Sequence, residues 1–583
     1  MTAHVEPSAF IKAIDNYTAK QIGENGHVEY GWSNNSRERI LQFTFQVTRT
    51  DEEGVNNLKG VLRGLLVSLN HQLTSANISE REVAKGLLSV LYKIIGHTRD
   101  IIDGKGEYTL TYMMIHTWYE FYPDLARFAV KCLVDLGDKN VHQYGSWKDI
   151  KYFCQYCKDQ GDEVSHPLIQ YAIMITNEQL KQDFTNLLSG SNEISLVGKW
   201  VPREKSTFSW LYTSLATEYF IEYIESANNS VRYSKALLKC KTEYRKLLSA
   251  LNKKIDTLQI KQCGNNWAEI DFNKVTSIST IKQKKAFLNI AKNGEERCPG
   301  NEDRIKCAEN FVARIKQAIE GEVEMKGKRV GMADFTKQAI ELLETPNQHE
   351  IDLLNSQWRD SSSLTGVLEN MIAMVDVSGS MDGDPMNVAI ALGIRIAAKS
   401  KMGKRVMAFS EKPTWVNLDG YDDFVSQVGA VTAAPWGYNT NLYAALDMIL
   451  DSIIQNKMDP KDVQGMILVI LSDMQIDSGD KCDKQVLYDI MKAKYAEAGM
   501  RTHGAPYDPP HVLFWNLRHT DGFPALSNQP NVSMMSGFSP ALLNMFCDQG
   551  LEALQSCTPW SLLEQSLEND RYKIMSDKLE QEM

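Results

Sequence analysis

The chain has 583 residues, 43% hydrophobic and 23% charged, with a net charge of −11. A single core seldom grows beyond about 250–300 residues, so more than one domain is expected. No apolar run approaches the roughly 20 residues of a membrane helix, and Met1-Thr2-Ala3-His4-Val5-Glu6-Pro7 lacks the basic-then-apolar pattern of a secretory signal. These features predict a cytoplasmic, intracellular protein with no membrane contact. The ten cysteines are scattered, as in a reducing compartment. Cys154-Gln155-Tyr156-Cys157 has metal-like spacing, but no second pair completes a zinc site.

In chain order, residues 1–36 read as an extension and residues 37–360 as helical. Leu58, Val61, Leu62, Leu65 and Leu66 recur at three and four residues, as do Leu87, Leu88, Leu91, Ile94 and Ile95. Met113, Met114, Trp118 and Phe121 follow, then Ala126, Phe128, Ala129 and Leu133, with polar breaks such as Thr74-Ser75-Ala76-Asn77 between stripes. A repeat-like solenoid or ring of helix hairpins is expected, with an irregular bundle as the alternative.

Three breaks carry residues that packing alone does not explain: His97–Glu107, Tyr144–Ile150 and Lys199–Ser206. Gly104-Lys105-Gly106 lacks the leading Gly and the following Ser or Thr of a phosphate-cradling loop. Arg99 beside Asp100 is read as an internal ion pair that locks the turn rather than as a ligand contact. Residues 1–365 are neutral overall, whereas residues 228–292 hold 14 basic against 4 acidic residues, interleaved with Tyr233, Tyr244 and Trp267. Such a stretch is either a nucleic-acid surface or the solvated face of helices.

Residues 366–550 change character. Met371–Val375 is a short apolar run, read as a buried strand, that ends in Asp376-Val377-Ser378-Gly379-Ser380. Three hard oxygen donors on one loop suit Mg²⁺ or another hard cation, at the strand end where open α/β sheets bind ligands. A helix over Val388–Ile396, a strand at Arg405–Phe409 and a turn at Ser410–Pro413 follow. Pro435–Leu442 then leads Thr440 to a helix start. Met466–Leu471 is a second apolar strand, ending in Ser472-Asp473. Helical spacing at Leu487, Ile490 and Met491, strands at His511–Trp515 and Val532–Ser536, and a closing helix with Ala541, Leu542, Leu543 and Phe546 complete a doubly wound, mostly parallel sheet. Residues 551–583 are expected to form a helical tail that docks back on either domain. The fold class is thus α + α/β.

The order Asp-x-Ser-x-Ser, then Thr, then strand-Asp resembles the metal-ion-dependent adhesion site of von Willebrand factor A domains. That resemblance implies Asp376, Ser378, Ser380, Thr440 and Asp473 as ligands of a divalent cation. More widely, Arg-Asp-x₃-Gly-Lys-Gly, Tyr-Gly-x-Trp-Lys-Asp and Lys-Trp-x-Pro-Arg-Glu, followed by Tyr244-Arg245-Lys246 and the metal-site domain, resemble a family of unknown function from plants, fungi and large DNA viruses. That family's viral members admit a viral origin, and the family is similar, more distantly, to the TROVE module of the Ro ring ribonucleoprotein. The resemblance implies an RNA surface, taken here as Lys199, Arg203, Arg232, Lys235, Lys239, Lys241, Arg245, Lys246, Lys253 and Lys254.

A non-catalytic, Mg-binding scaffold for small structured RNA is therefore expected. The alternative is a metal-dependent module that captures a protein partner's Asp or Glu; the excess acidity of residues 366–583, 28 acidic against 17 basic, is compatible with a basic partner. An enzyme would need a general base near the metal. Asp382, Asp384, Asp477 and His503 sit on suitable loops without motif support, and Asp382 and Asp384 are better explained as first-turn helix charges.

Overall fold

The computed structural model describes residues 17–368, 370–437, 439–477, 485–547 and 556–583. Readings that fall on residues 1–16, on Glu369, Tyr438 and Cys482, and on 548–555 lie outside them. The described residues form two compact units, one from 17–98, Asp103–Leu110 and the described part of Ala318–Ser576, the other from Arg99–Ile102, Thr111–Gln317 and Asp577–Met583.

In the first unit β1 (Lys20–Ile22) and β2 (Val28–Tyr30) form an antiparallel pair. A six-stranded sheet is built from β3 (Met371–Asp376), β4 (Arg405–Phe409), β5 (Thr414–Asn417), β6 (Ile467–Ser472), β7 (His511–Asn516) and β8 (Val532–Ser536), in the order β5-β4-β3-β6-β7-β8. All neighbours are parallel except the β4–β5 edge. Strands β3 and β6 are buried along their whole length, which explains their unbroken apolar runs, because both faces of a parallel sheet are covered. Helix Asp384–Lys399 lies close enough to β3 that a Cβ on Gly393 would come within 2.5 Å of Val375 Cγ2. The expected strands and helices are present; the edge strand β5 follows the Ser410–Pro413 turn, and the closing helix is a 3₁₀ segment, Pro540–Phe546.

The compact units cut across the domain limits of 37–360, 366–550 and 551–583. Helices Met332–Glu344 and Gln348–Ser362 pack with the sheet unit through Phe335, Trp358 and Phe424, whose Trp358–Phe424 rings stack at 3.9 Å. Helix Ser36–Gln46 packs on β8, with Asn516 Nδ2 donating to Phe45 O and Ser536 Oγ to Thr44 O. In the tail, Trp560 N–H donates to Ser527 O and Tyr572 meets His97 edge-on. A helical stripe reveals that a face is buried but not which element covers it.

The Gly104-Lys105-Gly106 loop has a structural task in this unit. Buried Lys105 Nζ donates to Thr44 O (2.8 Å) and Val47 O (2.9 Å) at the carboxyl end of helix Ser36–Gln46 and to Ser536 Oγ on β8 (2.7 Å). A cation there satisfies terminal carbonyls. Burial lowers its pKa from 10.5 to about 7. The unfolded chain therefore holds the extra proton between these values, and stability rises with pH across that window. Lys105→Met is expected to cost about 1–3 kcal/mol at pH 7 by removing the donor from buried acceptors and to flatten that rise. Thermal unfolding of both proteins from pH 7 to 10 checks it; parallel curves would refute it.

The second unit is helical. Ser209–Tyr219 and Trp147–Asp159 pack on Pro167–Leu188, and Ser230–Ile255 packs on Ser209–Tyr219. Tyr244 is buried and donates to Asn177 Oδ1, while Tyr212 donates to Lys241 O. The sequence pairs Arg99 with its neighbour Asp100; the structure gives it a bidentate partner fifty residues on, Asp149, at 2.6 and 2.8 Å. Asp149 also accepts from Tyr112 Oη and from the Ser146 N–H. Gly145 is required beside it, since a Cβ there would lie 2.7 Å from Asp149 Oδ2 and 3.1 Å from Leu133 O.

Candidate metal centre

The strand order reverses direction at β3 and β6, so their carboxyl ends flank a topological switch point, where open α/β sheets bind ligands. Asp376 ends β3 and Asp473 follows β6. Asp376 Oδ1 accepts from the Ser378 N–H at 2.9 Å and Oδ2 from Ser472 Oγ at 2.6 Å. Ser378 Oγ lies 3.2 Å from Ser380 Oγ. Asp473 Oδ1 accepts from the Gln475 N–H at 3.1 Å. Between them Met474 adopts φ +64°, a conformation disfavoured for a residue with a side chain.

Thr440 sits on the loop before helix Leu442–Gln455. That loop is tied to the turn after Asp473, with the Thr440 N–H donating to Asp477 Oδ2 at 2.8 Å and the Asp477 N–H to Thr440 O at 3.1 Å. It is also tied to the end of β4, by the Asn441 N–H to Ser410 O. All five residues thus lie at one end of the sheet. Asp376, Ser378, Thr440 and Asp473 are fully buried, and Ser380 is half-exposed.

Electrostatics in this cluster favour a positive guest. Burial pushes the Asp376 carboxyl up to about 7, and the charge of Asp473 adds to the rise. Burial raises Asp473 too, opposed by the Gln475 N–H, the Ser380 hydroxyl and Arg518. Thr440 Oγ1 and Asp473 Oδ2 are buried without a hydrogen-bond partner. Buried oxygens are rarely left so, and a bare threonine hydroxyl together with two repelling carboxylates, one with an unpaired oxygen, suits a hard divalent cation.

Ser472 and Arg518 belong to this cluster but were not singled out from the sequence. Ser472 was legible as the residue before the strand-end Asp; Arg518, which donates to Ser380 O, carried no signal. Of the four candidate general bases, Asp384 pairs with Lys337 and Arg49 at the start of its helix, Asp477 holds the Thr440 loop, and His503 meets Tyr507 edge-on at the end of its helix.

Two family models match the chain. Residues 370–581 match a domain of unknown function (DUF7788), and residues 169–360 match a second (DUF2828). The chain is also similar to the "Uncharacterized protein L728" of Acanthamoeba polyphaga mimivirus, 28% identical over 480 residues that cover 78% of this chain and 76% of the relative. The chain is thus similar to two domains of unknown function and to a viral protein. No described helix is long and apolar enough to cross a membrane.

The structure places Arg232, Lys235, Lys239, Lys241, Arg245, Lys246, Lys253 and Lys254 on one helix, Ser230–Ile255, whose Cys240, Tyr244, Leu247, Leu248 and Leu251 face inward. Most of these cations are exposed, with Lys241 half-buried; Lys199 is half-buried and Arg203 exposed on a preceding segment. Arg245 pairs with Glu204 and Lys246 with Glu243. Of the three interleaved aromatics, Tyr233 is open, Tyr244 is core, and Trp267 lies under Arg304, 3.7 Å from its ring. Cys157, unlike Cys154, lies near His116 and Asp162, with ligand-type atoms within 4.8 Å. His116 Nε2 is already 2.9 Å from Asp162 Oδ2, so that group is closed by its own hydrogen bond.

Proposed function

We propose that the protein is a non-catalytic scaffold that holds a divalent cation, Mg²⁺ by donor type, at Asp376, Ser378, Ser380, Thr440 and Asp473, and that binds structured RNA through the basic face of Ser230–Ile255. The observation that carries the metal half is the unpartnered buried Thr440 hydroxyl and Asp473 Oδ2, in a cluster with two carboxylates whose ionisation burial opposes. A von Willebrand factor A-like reading of the sheet domain and a TROVE-like, ring-forming reading of the helical unit belong to this proposal. The RNA half is supported by a row of exposed cations on one helix, which would bind mainly through phosphates.

Charge reversal of Lys239, Lys241, Arg245 and Lys246 is expected to weaken binding of a structured small-RNA pool at least tenfold and to shallow its salt dependence, since each lost phosphate contact removes about 0.7–0.9 from the log–log slope. Filter binding at two salt concentrations, with Mg²⁺ or chelator, reads this out; an unchanged affinity would exclude the face.

A second reading is favoured by one feature. A cleft of about 500 Å³ lined by Arg49, Asp51, Asp384, Arg518, His519 and Phe538 opens in the sheet unit, and Arg518 links it to Ser380. A partner's Asp or Glu could enter there and complete the cation's coordination. Partner capture by the wild type but not by Asp376→Ala would support this reading.

A further inference from the structure

Two sequence breaks without a packing explanation, Tyr144–Ile150 and Lys199–Ser206, come together in the helical unit. Lys151 Nζ lies 5.0 Å from the Tyr152 ring, 5.4 Å from that of Trp200 and 5.4 Å from that of Phe208. Lys148 Nζ lies 5.2 Å from the Tyr152 ring, and Lys199 Nζ 5.6 Å from that of Trp200. Tyr152 and Phe208 meet edge-on at 5.5 Å. Tyr152 and Lys148 are exposed, and the other four residues are half-buried.

This cluster is electrostatically unbalanced. None of the three lysines has a carboxylate within ion-pair distance among the described residues, and the adjacent Asp149 is engaged by Arg99, Tyr112 and Ser146. Asp149 attracts Lys148 from outside ion-pair distance, but Lys282 and Arg99 add positive charge close enough to act against it. Burial lowers the pKa of Lys148, Lys151 and Lys199, and Lys148 lowers that of Lys151 further. Each ammonium gains from the ring beneath it, but the like charges repel one another; an anion that also carries planar groups relieves the repulsion and covers the exposed part of Tyr152.

We infer that Lys148, Lys151, Lys199, Tyr152, Trp200 and Phe208 form a binding site for a single-stranded segment of nucleic acid. The ammonium groups take the phosphates, and a base stacks on the exposed part of the Tyr152 ring, the combination by which single strands are held without sequence preference. This site lies apart from the Ser230–Ile255 row in the sequence and deepens the RNA reading, on which it rests.

The test uses the full chain, a fluorescent twelve-nucleotide oligouridylate, an abasic ribose-phosphate oligomer of equal length, and the structured RNA pool. The wild type is expected to bind the oligouridylate several-fold more tightly than the abasic oligomer. Lys148→Glu with Lys151→Glu should weaken oligouridylate binding at least tenfold. Tyr152→Ala, at an exposed position that leaves the fold intact, should remove the preference for the base-bearing strand. Oligouridylate binding that both variants leave unchanged overturns the site. If the structured pool still binds and only the Ser230–Ile255 reversal weakens it, this site falls while the RNA reading stands. If the wild type binds neither probe, both fall. Equal competition by polyglutamate, with no effect of Tyr152→Ala, would replace nucleic acid by an acidic peptide and overturn the assignment.

Discussion

Asp149→Ala is expected to destabilise the helical unit by about 3–5 kcal/mol, because it removes one member of a buried, bidentate ion pair. Nε and Nη2 of Arg99 both bond to the Asp149 carboxylate, and the two side chains are only 10% and 3% exposed. The same carboxylate takes the Tyr112 hydroxyl and the Ser146 N–H that starts helix Trp147–Asp159. Truncation therefore removes a capping interaction as well as a counter-charge. Replacing both partners, Arg99→Met with Asp149→Leu, should cost less than Asp149→Ala alone, since removing one member of a buried pair costs more than replacing both by apolar groups. Urea unfolding of the three proteins measures this order. A loss below about 1 kcal/mol for Asp149→Ala would mean that water reaches Arg99 and that the corner is not a lock.

The second large effect concerns the candidate metal centre. Addition of Mg²⁺ at about 100 times its dissociation constant should stabilise the wild type by about 2.7 kcal/mol, the mass-action gain for a ligand that binds the folded state alone. The Asp376→Ala, Ser378→Ala double variant should show no gain. That variant also relieves repulsion between Asp376 and Asp473, so without metal it should lose little stability or even gain some. Thermal unfolding with Mg²⁺ and with chelator separates the two effects. A wild type indifferent to Mg²⁺, Mn²⁺ and Ca²⁺ alike would remove the cation from the proposal, and an unaltered response in the double variant would move it elsewhere.

The strands and the metal-type residues were legible in advance for a local reason. Met371–Asp376 and Ile467–Ser472 are buried on both faces, so each reads as an unbroken apolar run, and Asp376-x-Ser-x-Ser with Ser472-Asp473 falls where such runs stop. Helices such as Glu52–Leu73 were legible from their 3.6-residue period. The edge strand Thr414–Asn417 was not, because it is short and half-exposed and its pairing comes from β4.

Long-range partnership was beyond the sequence. Periodicity says that Phe335, Trp358 and Lys105 lie on elements with something to cover or hold, but not that the first two meet Phe424 or that Lys105 caps the helix before β8. Arg99 reads as a partner for its neighbour Asp100, yet its bidentate contact is Asp149. Lys148 and Lys199 stand fifty-one residues apart, and only the fold sets them around Lys151 and the rings it touches. A residue's chemistry and local spacing are written in its neighbours along the chain; the charge or surface that completes it is chosen by packing, and packing alone decides whether a cation is a lock, a cap or an open hand.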